Sequence, residues 1–178
     1  MKQELQKLKD NGKICSIYND RDDPNKFYVG YVLDCNDLYY LIESRNKYGF
    51  TDGIILYLVE KIFKIEIEDA YLKRIERLSK YHKQKHYPQI NCSDDLLTSL
   101  FEYAKSAKKM CSVELDNDDS NGISGYIKKI DYDNDLVEIQ TITDDGRENG
   151  ISIIDLNSIV FISCDSADEH KLEHLMQC

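Results

Sequence analysis

Tryptophan is absent from the 178 residues, and no apolar run approaches the ~18 residues that a membrane-spanning helix needs. The opening stretch, Met1-Lys2-Gln3-Glu4-Leu5, is too polar for the apolar centre of a signal peptide, so a cytoplasmic chain with no membrane contact is expected. No Cys-x-x-Cys pair occurs, which argues against a zinc ribbon or a thioredoxin-type redox site. A nucleophile elbow, a Walker loop, a dinucleotide fingerprint and a Cys-His-Asp set at recognisable spacing are all missing. The expectation is therefore a protein that is not an enzyme, has no cofactor and has no resident metal.

What is present describes an ordinary folded chain, with 42% hydrophobic residues and a formal net charge of -10. Four of the six cysteines, Cys15, Cys35, Cys111 and Cys164, lie in or beside strand-like runs, where a reduced thiol acts as a small buried hydrophobe. Charge is divided unevenly. Residues 1–93 hold sixteen Lys and Arg against fourteen Asp and Glu, whereas residues 94–178 hold seven against nineteen, a net of -12.

The chain repeats itself. Ile14-Cys15-Ser16-Ile17 returns as Met110-Cys111-Ser112-Val113, and Val29-Gly30-Tyr31-Val32 as Ser124-Gly125-Tyr126-Ile127. Gly49 and Gly53 return as Gly146 and Gly150, and Ile62-Phe63-Lys64-Ile65 as Ile159-Val160-Phe161-Ile162. The offset moves only between 95 and 97, with its changes in polar loops, so the order of apolar positions is kept throughout.

Each repeat reads as a helix, five short strands and a second helix, giving a first unit over 1–83, a linker over 84–93 broken at Pro88, and a second unit over 94–178. The first helix carries Met1, Leu5 and Leu8 and stops at Asn11-Gly12. Its counterpart starts at Asp94 or Asp95 and buries Leu97, Leu100, Phe101 and Ala104. The strands are expected at 13–18, 27–34, 38–44, 53–59 and 62–67, then at 110–115, 123–131, 136–142, 150–155 and 159–164. Asp69 and Ser166 are the expected caps of the closing helices, with Leu72, Ile75 and Leu78 or Leu172, Leu175 and Met176 facing inward. The very short link between fourth and fifth strands suits a barrel corner.

This pattern, with a Gly in the second strand and a tight fourth-to-fifth turn, resembles the Sm-like small barrel, or an SH3-like barrel of another lineage. The resemblance implies a mainly β fold of two tandem five-stranded barrels with flanking helices. It does not carry over the family's RNA site. Gly125 is followed six residues on by the motif's Asp, here Asp131, but ten on by Asp135 instead of Asn; Gly30 is followed by Asn36 and Tyr40. The apolar-Arg-Gly motif would fall at Leu58-Val59 and Asp155-Leu156 and is absent from both. Gly30-Tyr31-Val32 with Gly49-Phe50-Thr51-Asp52-Gly53 also resembles small cytoplasmic proteins of low-GC Gram-positive bacteria, a resemblance to which no activity attaches.

Several groups invite a chemical reading. His82 with His86, and His170 with His174, have the i, i+4 spacing of helical metal ligands, but no glutamate follows the first His as in a zincin; solvated helix faces are expected. Asp116-Asn117-Asp118-Asp119-Ser120-Asn121-Gly122 puts its Gly seventh and Ile127 twelfth, against the calcium-loop pattern, and reads as a polar connection. The glycine-flanked segments 49–53 and 145–150 read as hairpins, since neither opens a helix. Lys73, Arg74, Arg77, Lys80, Lys83 and Lys85, interleaved with Tyr81 and Tyr87, could follow a phosphate backbone, although the net charge disfavours nucleic acid. Tyr28, Tyr39, Tyr40 and Tyr57, four of thirteen tyrosines, are candidate protein contacts on strand faces. The leading expectation is a binding or regulatory module that contacts a protein partner or a second copy of itself; the alternative is an RNA-binding protein using helix 73–85.

Overall fold

Leu5 and Leu8 decide where the first helix, α1 (Lys2–Asn11), sits: both are buried, and the helix lies over β2 (Tyr28–Cys35). Met1, expected on the same stripe, is half exposed. Gly12 ends the helix in the left-handed conformation, its N–H reaching the carbonyls of Leu8 and Lys9. The computed structural model describes residues 1–86, 90, 92, 95–116 and 122–177. They fold as two units, Met1–Leu96 and Leu97–Cys178.

In the first unit, β1 (Ile14–Tyr18) bonds antiparallel to β2 on one side and to β5 (Lys64–Ile67) on the other. β2 continues to β3 (Tyr39–Arg45), and β3 to β4 (Thr51–Leu58). The order is β5-β1-β2-β3-β4. One 3-10 turn, Val59–Lys61, joins β4 to β5, after which α2 (Ala70–Tyr81) packs on β1 through Leu72 and Ile75. The Asp69 carboxylate caps α2 by accepting from the Leu72 N–H at 2.7 Å.

The second unit repeats this plan. Helix α3 (Leu96–Ala107) is followed by β6 (Met110–Leu115), β7 (Ile123–Asp131), β8 (Leu136–Ile142), β9 (Glu148–Asp155), a 3-10 turn (Leu156–Ser158), β10 (Ile159–Cys164) and α4 (Ala167–Leu175). Its order is β10-β6-β7-β8-β9, position for position that of the first unit. Register carries the match to single residues: Gly30 faces Ser44 and Gly125 faces Thr141, and a bulge interrupts β2 at Leu33 and β7 at Lys128. The expected cap at Asp94 lies outside the described residues.

Among the described residues the fold is mainly β with four helices, as the sequence pattern implies. Closure is not observed: the fourth and fifth strands end the order within each unit and do not pair with each other. The 3-10 turn hands the fifth strand to the first, whose free edge it fills. β4 and β9 also begin earlier than expected, at Thr51 and Glu148. The positive-φ residues Gly53 and Gly150 sit in bulges inside these strands, and pairing resumes beyond them at Arg45 with Thr51 and Ile142 with Glu148. In α4, Leu175 and Met176 are exposed and Glu169 is buried instead. Its carboxylate completes a capping box with Ser166 and accepts from the Ser163 hydroxyl at 2.5 Å, which turns that face inward.

Glycine is required where backbone meets backbone. A Cβ on Gly30 would come within 2.0 Å of the Glu43 carbonyl oxygen, and one on Gly125 within 2.0 Å of the Gln140 carbonyl oxygen. Gly49 and Gly146 serve the hairpin tips, where a Cβ would meet Leu78 Cβ or Leu175 Cβ at 2.6 Å, so the closing helix of each unit rests on its own third-to-fourth hairpin. Gly30→Ala and Gly125→Ala should each cost about 3 kcal/mol in chemical denaturation. Gly12→Ala, which adds a Cβ in open space at φ 55, should cost about 1 kcal/mol.

Burial also sets an alkaline limit. Desolvation pushes the Cys15 thiol up to about 12 from an ordinary 9.0, and the Tyr39 and Tyr126 phenols up to about 12 from 10.0. These groups keep their protons in the folded state while the unfolded chain releases them. Their contribution is complete below about pH 9 and is lost as pH rises from there through about 12. Urea midpoints should fall steadily across that window; a flat profile would count against the burial assigned to these side chains.

Candidate functional site

The strand that ends the second unit differs most from its counterpart in the first. Ile151 and Ile153, two residues apart on β9, point from one face and are 57% and 66% exposed. Register places them where β4 has Ile54 and Leu56, both 0% exposed, because Glu43 faces Ile54 as Gln140 faces Ile151. One duplicated strand therefore shows to solvent the apolar pair that the other buries. β9 pairs with β8 along one edge and ends its unit's strand order at the other. An exposed apolar edge strand is a site for a further strand.

The tyrosines proposed as contacts are elsewhere. Tyr39 and Tyr40 are buried in β3; the Tyr40 hydroxyl receives a hydrogen bond from Asn19 Nδ2 at 2.5 Å, and burial raises its pKa strongly. Tyr28 and Tyr57 are half-buried, and Tyr57 lies 6.3 Å from Tyr28 and 6.5 Å from Tyr40, ring centre to ring centre. Tyr28, Tyr57 and Tyr40 form an aromatic cluster in the first unit. Strand alternation suggested outer faces, but all seven residues of β3 are buried.

A buried charge cluster occupies the same strand. Glu43 and Arg45 form an ion pair with side chains 0% and 1% exposed, and Arg45 lies over the Tyr31 ring, 5.4 Å from its centre. His86 Nδ1 meets Glu43 Oε1 at 3.0 Å, and its ring touches Tyr31 edge-on at 4.9 Å. The segment after α2 reaches this cluster because the helix stops at Tyr81 and Lys83 takes φ 53. His82 then stacks on Phe50, and the Gln84 side-chain oxygen accepts from Thr51 N and Oγ1. His82 and His86 thus hold the strap 82–86 on the β3–β4 hairpin by separate contacts and do not share a helical face. Acid and base in this cluster pair with each other through one guanidinium nitrogen while Arg45 Nε is buried without a hydrogen-bond partner, an arrangement that suits a latch more than a reaction centre.

His170 and His174 lie in α4, and His170 Nε2 meets Asp165 Oδ1 at 2.7 Å. Residues 117–121 of the acidic loop lie outside the described residues, as does Tyr87. Lys73, Arg74, Arg77, Lys80, Lys83 and Lys85 are exposed; Arg74 stacks on Tyr71, Lys80 pairs with Glu76 at 3.6 Å, and Tyr81 is exposed among them. The turn at Asn46–Gly49 is an ordinary hairpin tip, its Asn46 side chain accepting from the N–H groups of Tyr48 and Phe50.

No family model, curated protein or solved structure matches this chain. Sequence reading passed over Glu43 and Arg45, although two opposite charges two residues apart in an apolar strand share one face and can pair there. Ile151 and Ile153 carried no such signal, since apolar alternation looks the same on an exposed strand as on a buried one.

Arg45→Met, which removes the guanidinium from buried Glu43 and leaves the partly exposed His86 beside it, should destabilise the chain by about 3 kcal/mol. The double change Glu43→Leu/Arg45→Met should cost clearly less, and paired urea titrations of the three proteins measure the difference.

Proposed function

We propose that this protein is a non-enzymatic binding module whose contact surface is β9. One observation carries this reading: two isoleucines stand exposed on a terminal strand at positions that the duplicate strand buries. The occupant is a polypeptide that adds a strand to the open edge and covers Ile151 and Ile153. Main-chain hydrogen bonds would supply affinity and the two apolar side chains the register. Each unit is, in the same proposal, an open small barrel of the Sm-like or SH3-like kind. Support comes from the leading helix, the order fifth-first-second-third-fourth, the 3-10 turn before the fifth strand and the bulged second strand.

Nucleic-acid binding through Lys73–Lys85 is the second reading, favoured by exposed Tyr81 among the solvent-facing lysines and opposed by a net charge of -10. A photo-crosslinkable residue at position 153, used in cells, separates the two. Protein adducts that disappear when Ile151 is also changed to Glu support the β9 surface. Absence of protein adducts, together with a salt-dependent RNA shift abolished by neutralising Lys80, Lys83 and Lys85, would replace it with the second reading.

A further inference from the structure

The acidic second unit has concentrated its few cations. Of the seven Lys and Arg in residues 97–178, four line a single cleft of about 400 Å³ between the end of α3 and β7: Lys105, Lys108, Lys109 and Lys128, over a floor that includes Tyr126 and Ile127. That volume is in the range of small-molecule sites.

The first unit shows what this place looks like when it serves structure alone. There Lys9 bonds Asp34 at 2.6 Å and Lys13 bonds Glu68 at 2.5 Å. Helix caps and strand register place Lys105 at the position of Lys9, Lys109 at that of Lys13, and Lys128 and Lys129 at those of Leu33 and Asp34. The Lys13–Glu68 pair persists as Lys109–Asp165, at 2.8 Å. The Lys9–Asp34 pair does not, because its acid has become a lysine, and Lys129 pairs instead with Asp131. Lys108 replaces Gly12 while keeping its left-handed backbone, φ 54 against 55, a conformation that disfavours any side chain. Among the described residues no carboxylate pairs with Lys105, Lys108 or Lys128. Lysines at the end of α3 complement the helix dipole, but Lys128 is on the bulge of β7, where that explanation fails.

We infer that this cleft binds a small, multiply charged, phosphate-bearing molecule of about nucleotide size. Lys105, Lys108 and Lys128 supply mobile point charges for the phosphates. Lys109, held by Asp165, and Tyr126, whose hydroxyl bonds Glu173 at 3.2 Å, form a fixed wall, and Ile127 offers apolar contact to the attached organic group. A long nucleic acid fits less well, because the lysines converge on one cleft instead of tracking a groove, and the surrounding unit is strongly acidic. The site is separate from β9 and does not depend on it.

Calorimetric titration of the full chain with pyrophosphate and with ATP tests the inference. Saturable one-to-one binding at or below ~1 mM is expected. Lys105→Gln/Lys108→Gln/Lys128→Gln should weaken it at least tenfold, with an unchanged melting temperature showing that the fold survives. Arg147→Gln/Lys171→Gln, which removes the same kind of charge elsewhere on the unit, should leave affinity within twofold of wild type. No binding of either probe at low salt, or equal binding by the triple variant, would overturn the assignment. So would a single-stranded oligonucleotide that binds far more tightly and is not displaced by pyrophosphate.

Discussion

In each unit the first strand is hydrogen-bonded along both edges, and the remaining architecture depends on that. Cys15 sits opposite Gly30 on one side and Ile67 on the other; Cys111 sits opposite Gly125 and Cys164. A strand committed on both sides cannot slide without breaking two ladders at once, and in β1 a one-residue slip would also exchange the side chains of its two buried faces. The fifth strand must return to the first, the 3-10 turn follows from that return, and the fourth strand is left at the end of the order. The closing helix of the first unit then covers β1, and Gly49 and Gly146 let both closing helices settle against their hairpin tips.

The two units share this frame and differ in the surfaces built on it. Backbone-determined positions coincide: glycine at 30 and 125 where strands approach, left-handed residues at 12 and 108, and at 68 and 165. Side chains with no backbone role have diverged. The pair buried as Ile54 and Leu56 is exposed as Ile151 and Ile153, and Leu33-Asp34 has become Lys128-Lys129. A constraint shared by both copies marks folding. A difference between them marks a position available for something else, as at β9 and at the lysine cleft.

The interior of the first unit carries polar chemistry that is structural. Glu43 and Arg45 lie in a fully buried strand, each compensating the other, and His86 and Gln84 bring the chain after α2 down onto the same hairpin. A buried charge pair of this kind contributes little net stability over apolar residues of equal size, yet it penalises arrangements that separate its members. That penalty suits a strap whose few contacts must select one seat.

Residue order alone carried the repeated pattern, the succession of helices and strands, the caps at Asp69 and Ser166 and the hairpin at Gly49. These rest on local matters: apolar spacing, positive-φ residues and side chains that bond their own backbone. It also placed Leu72 and Ile75 correctly in the core. Packing between distant elements settled that the sheet in each unit stays open and that Tyr39 and Tyr40 are interior. The same holds for the exposure of Ile151 and Ile153 and for the meeting of Lys105 and Lys108 with Lys128 at one cleft. Exposure depends on which strand ends the sheet, and charge convergence on residues some twenty positions apart in the chain; neither is a property of any local window.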